Sequence, residues 1–167
     1  MRLLKDTLVA LMLVGILAGI LWYNRTDRSE QAVLDAVRDD VRRFQQEILL
    51  QATLKEVELT ERGYPRTVDP AWFGDDMPTN DLLGPSHPWL EIAGPEQCDL
   101  HHPPQLVAGD DSLAAYWYNP LTGSLKARVP VEISDARALR IYNYINDSGL
   151  PSLFADAGGS SEDADLP

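Results

Sequence analysis

Thr7-Leu-Val-Ala-Leu-Met-Leu-Val-Gly-Ile-Leu-Ala-Gly-Ile-Leu-Trp-Tyr23 carries no charged side chain, and no proline or glycine-rich break separates it from the helical pattern that follows. As a helix this run spans about 25 Å, the short end of what crosses a bilayer. Trp22 and Tyr23 close it where an interfacial aromatic anchor belongs. Arg2 and Lys5 would also suit the basic start of a secretory signal. Ala18-Gly19-Ile20 lies inside the apolar run, however, and bulky Leu21, Trp22 and Tyr23 follow it, so no small-residue cleavage site is visible. Residues 1–24 therefore read as an uncleaved, single-pass membrane anchor. The short N-terminal tail and the net negative far side place the head on the periplasmic side of the inner (cytoplasmic) membrane.

Outward from the anchor, Leu34, Val37, Val41, Phe44 and Ile48 recur at alternating steps of three and four, flanked by Asp39, Asp40, Arg42 and Arg43. This is a heptad seam, and so narrow a stripe suits packing against another helix. At Ile48-Leu49-Leu50 the stripe widens, and Leu54 and Val57 continue it on a shifted face. A wide face suits burial beneath a sheet. The expectation is an amphipathic stem helix over 25–62, its first half meeting partner helices and its second half belonging to the head. Packing of both halves on the head is the alternative. Gly63 is placed to end the helix, and Pro65 cannot continue it.

Residues 63–150 form a small α+β head on this reading. Asp69-Pro70, Gly74-Asp75-Asp76, Met77-Pro78, Gly84-Pro85 and His87-Pro88 mark a long irregular stretch. Trp72, Phe73 and Trp89 punctuate it, which predicts a loop laid onto the core. Trp89–Ala93 alternates as a short strand. Ala114–Tyr118 and Leu125–Val129 flank Asn119-Pro-Leu-Thr-Gly123, the strongest hairpin signal in the chain. Ser134 can cap a last element from Asp135 to about Ile145, read as helix with strand as the alternative. The small, polar, acidic ending over 151–167 has the composition of a disordered tail. The whole is an α+β chain in which an N-terminal transmembrane helix runs into a long amphipathic helix packed on a small antiparallel sheet.

The 167 residues carry a net charge of −12 and a single cysteine, Cys98, so no intrachain disulfide is available. An acidic head without a basic stripe argues against nucleic acid as a partner. Cys98-Asp-Leu-His101-His102 with His87 offers soft metal ligands, and Asp75-Asp76 and Gly109-Asp110-Asp111-Ser112 offer oxygens. None has the spacing of a dedicated zinc or calcium site, and turn and surface roles account for them better. Tyr116, Trp117, Tyr118, Tyr142 and Tyr144 fit core packing better than a groove. No serine-nucleophile elbow, zinc-protease, phosphate-loop or dinucleotide motif is present. Neither a cofactor nor catalysis is expected.

Gly15-Ile16-Leu17-Ala18-Gly19-Ile20 is similar to a stretch inside the N-terminal helices of type IV pilins, and Glu61-Arg62-Gly63-Tyr64-Pro65 to the turn that ends their stems. Tyr116-Trp-Tyr-Asn-Pro-Leu-Thr-Gly123 followed by Ala127-Arg128-Val129 resembles their sheet hairpin. Over about residues 1–150 the chain thus resembles pilin-like proteins, and more closely the pseudopilins of type II secretion systems. The family's prepilin-peptidase signal is not matched: ungapped, Met1 stands at its glycine, Arg2 at its phenylalanine and Asp6 at its glutamate. No leader precedes this segment, and processing is not expected. The resemblance implies a non-catalytic structural or assembly role in an envelope or secretion system. Asp6 would pair between helices, and Leu34, Val37, Val41, Phe44 and Ile48 would contact other membrane or pilin-like proteins. The alternative is a membrane-tethered periplasmic binding module that takes a peptide or glycan near Trp72, Trp89 and Trp117.

Overall fold

The computed structural model describes residues 2–54 and 56–154; ahead of Arg28, side chains are described only at Met12, Gly15, Ile16 and Gly19. The chain is α+β, with one long helix, α1 (Arg2–Leu54), followed by a small mixed sheet and a second helix. It divides into two units at the Val33–Leu34 boundary, so the stem residues from Leu34 group with the head. Among the described residues no helix is long and apolar enough to cross a membrane. Most side chains of the Thr7–Tyr23 run, and that of Asp6, lie outside the described residues, as does the ending from residue 155 on.

Within the second unit, the strands are β1 (Leu90–Ile92), β2 (Val107–Ala108), β3 (Tyr116–Asn119), β4 (Ser124–Ala127) and β5 (Val129–Pro130). The predicted hairpin is β3–β4, with Tyr116 opposite Ala127 and Asn119 opposite Ser124. Gly123 closes it at φ +69°, a conformation that favours glycine. The strands form two sheets, β1-β3-β4 and β2-β5, rather than the single antiparallel one expected. β1 lies parallel to β3, Leu90 opposite Tyr116, and β2 lies parallel to β5, Val107 opposite Val129. A residue-by-residue strand pattern is the same in both directions. The direction is set by the connection, and here the long 93–115 crossover returns the chain to run alongside β1.

Helix α2 (Asp135–Ile145) forms where Ser134 predicts it: Ser134 is extended, and its side chain accepts from the Arg137 amide. Ala138, Ile141, Tyr142 and Ile145 are its buried face. Just past its end, buried Asn146 accepts from the Ala127 amide at 2.7 Å and donates to the Ala127 carbonyl at 2.9 Å. Its side-chain amide thereby occupies the hydrogen-bonding edge of β4 as a further strand would.

The stem differs most from expectation. Leu34, Val37, Val41, Phe44 and Ile48 lie in one core cluster with Tyr116, Tyr118, Leu125, Ala127, Val129, Ile141 and Tyr142. The heptad stripe is covered by the chain's own sheet and α2, so it is not free for partner helices. The widened stripe behaves oppositely: Leu49, Leu50 and Leu54 are about half exposed, at 54%, 49% and 51%. Helix α1 also stops at Leu54, before Gly63. Leu59 and Pro65 form an antiparallel bridge instead, with Gly63 at φ +85° in the turn between them. Tertiary contacts outweigh helix propensity here. The Tyr118 hydroxyl donates to the Pro65 carbonyl at 2.9 Å, and Thr60 Oγ1 donates to the Pro120 carbonyl at 3.0 Å.

Candidate functional site

Charged residues beside the seam fasten the head to α1. Arg38 and Arg42 both bind Asp147 beyond the end of α2, the latter at 3.0 Å, and the Arg38 guanidinium lies 4.7 Å from the Tyr144 ring centroid. Hydrogen bonding from Arg38 holds the Asp147 carboxyl below its usual range. Arg43 pairs with Asp76 and Asp40, and Asp40 also accepts the Thr79 amide at 3.0 Å. Asp76, whose oxygens were read as serving a turn or surface role, is an ion-pair partner of Arg43. Asp110 accepts from the Ser112 amide and hydroxyl, a local turn that depresses its pKa.

The three histidines are dispersed among different partners. His87 Nδ1 lies 2.9 Å from the Leu113 carbonyl, and His101 Nδ1 lies 3.2 Å from Ser124 Oγ. His102 Nδ1 lies 2.9 Å from the Tyr142 hydroxyl. Burial, then Lys126 and His101, push the His102 pKa down to about 4, so its imidazole is neutral at pH 7. Burial likewise lowers the Lys126 amine and raises the Tyr142 phenol. Cys98 is half-buried. Among the described residues no three His, Cys, Asp or Glu side chains gather as a metal site.

The aromatic residues divide between core and surface. Tyr116, Trp117, Tyr118 and Tyr142 are fully buried, and Tyr144 is half-buried. Phe44 of α1 stacks on Trp89 at 5.0 Å and meets Phe73 and Tyr116 edge-on at 5.0 and 5.3 Å. This ring cluster lays the 70–89 loop onto the core, as its composition predicts. Trp117 belongs elsewhere, donating its indole N–H to Gln97 Oε1 at 3.0 Å. Of the three tryptophans named for the alternative binding region, Trp89 lines a cleft.

That cleft, of about 560 Å³, is formed by Met77, Pro78, Thr79, Asn80, Asp81, Gly84, Pro85, His87, Trp89 and Ala115. Its volume is in the range of small-ligand and peptide-side-chain pockets. Its wall is held by polar groups whose bonding is internal. Asn80 donates to the Ala115 and Arg128 carbonyls and accepts from the Leu82 amide. The Trp89 indole N–H donates to the Pro78 carbonyl at 3.0 Å, and the Tyr116 hydroxyl to the Thr79 carbonyl at 2.8 Å. Behind it, buried Arg128 binds Glu91 at 2.6 Å and the carbonyls of Ala114 and Gln105 at 2.9 and 3.0 Å. The proline-rich turns and Trp89 are separately visible in the sequence. The fold adds their convergence, which depends on a contact between Trp89 and Phe44 across 45 positions of chain.

No protein-family model, curated protein or solved structure matches this chain.

Proposed function

We propose that this protein is a membrane-anchored, non-catalytic component with a structural or assembly role, of the pilin- or pseudopilin-like kind. The observation that carries this reading is the contrast along α1. From Leu34 the apolar stripe is used up inside the head, whereas Met12 and Ile16, one helical turn apart in the uncharged run, are 67% and 58% exposed. An apolar helical face of this kind suits lipid or neighbouring helices. The hydropathy of the Thr7–Tyr23 run, closed by Trp22 and Tyr23, supports a single span, and this reading puts the head in the periplasm. Since the heptad stripe is internal, helix-mediated partners are assigned to the segment before residue 34.

Two measurements on the full chain test this. After alkaline carbonate washing of membranes, the protein is expected to stay in the pellet, and release into the supernatant overturns the anchor. A photo-crosslinking residue at position 12 or 16 is expected to give discrete protein adducts in the native membrane. Their absence overturns the assembly role while leaving the anchor standing.

A further inference from the structure

The cleft at Trp89 has a chemical bias that the position of the chain in the cell does not determine. Six of its ten lining residues offer no polar side chain: Met77, Pro78, Gly84, Pro85, Trp89 and Ala115. Its fixed polar groups are spent within the fold. Both N–H bonds and the oxygen of the Asn80 amide are engaged, and the indole N–H of Trp89 is held by Pro78. His87 is also occupied: its side chain is 8% exposed, with Nδ1 at the Leu113 carbonyl and Nε2 3.4 Å from Asp111. Thr79 Oγ1 donates to Asp81 Oδ1 at 3.0 Å. The group with capacity to spare is the exposed Asp81 carboxylate, since two oxygens accept far more than one hydroxyl proton.

A sugar needs several donors and acceptors around its ring hydroxyls, and this wall has already committed most of them. An extended peptide with a compact apolar residue beside a lysine or arginine needs an apolar slot and one carboxylate, which are both present. The overall charge of the head agrees: residues 63–150 hold 12 carboxylates against 5 lysines and arginines. We infer that the Trp89 cleft is a docking site for a cationic, apolar extended segment of a partner protein, with Asp81 receiving the positive charge. This narrows the peptide-or-glycan alternative to a peptide, and it moves the site from a three-tryptophan region to one cleft.

The test is nuclear magnetic resonance titration of the ¹⁵N-labelled full chain with acetyl-Pro-Leu-Lys-Pro-amide. Saturable shifts are expected at the Trp89 indole and the Met77, Gly84 and Ala115 amides, with a dissociation constant of about 1 mM for so short a probe. Replacing the probe lysine by glutamate, or Asp81→Asn in the protein, is expected to weaken binding about tenfold. Asp81→Asn retains the oxygen that accepts from Thr79, and an unchanged melting temperature verifies its fold. In the unaltered protein, raising NaCl to about 0.5 M should weaken binding as well. Equal binding of the glutamate probe overturns the inference, as does the absence of saturable shifts at these groups. Shifts produced by an N-acetylglucosamine tetramer but not by the peptide would reassign the cleft to a glycan.

Discussion

Two neighbouring stretches of α1, Leu34–Ile48 and Leu49–Leu54, both carry aliphatic side chains and meet opposite fates. The first is regular, narrow and buried: Val37, Val41, Phe44 and Ile48 are 0–2% exposed. The second is the more densely apolar, yet Leu49, Leu50 and Leu54 face outward. Periodicity therefore locates an apolar face but does not identify what covers it. That depends on where the strands and α2 arrive, which is a property of the whole chain.

The comparison can be tested by loading each half. Phe44→Ala removes the ring shared by Trp89, Phe73 and Tyr116 and should cost about 3–5 kcal/mol in a denaturant titration. A loss below about 1 kcal/mol would break the assignment of this half to the core. A smaller effect comes from beneath the same half, where His102 meets Tyr142. The His102 pKa is about 4 in the fold, below the ordinary value of 6.5, so the unfolded chain binds more protons between these values. Stability should hold above pH 6.5 and decline as pH falls toward 4. Because His102 is only half-buried, screening limits this to about 1–2 kcal/mol. His102→Asn should flatten that part of a melting-temperature profile; an unchanged profile removes His102 as its cause. Asp147 and Asp110, whose pKa values are depressed, act in the same direction but below the ordinary carboxylate range. The smallest effect belongs to the exposed half. Leu54→Gln should change stability by less than about 0.5 kcal/mol, and a loss comparable to Phe44→Ala would show that this face is covered.

Legibility followed the range of the forces involved. The α2 boundaries and its Ser134 cap, the Asn119–Gly123 hairpin and the aromatic loop on the core rest on contacts near in sequence or on composition, and each was readable. The sheet direction, the end of α1 and the cover of the heptad stripe rest on distant partners. Tyr118 reaching Pro65 and Asn146 closing β4 have no local signature. The candidate cleft falls between: its prolines and Trp89 are visible in sequence, but their convergence depends on Phe44.

The two parallel strand pairs have a consequence for how the head comes into being. β2 lies inside the connection that joins β1 to β3, and its own partner β5 follows β4. Each pair thus closes a loop that includes part of the other, while the β3–β4 hairpin is the local sheet element among the described residues. A chain emerging from its N-terminus has no sheet to offer until residues near 130 are available. The stripe from Leu34 to Ile48 must wait uncovered until then. Non-local closure of this sort slows folding and lengthens that exposure, so the period before closure is when the chain is most open to aggregation or to a chaperone.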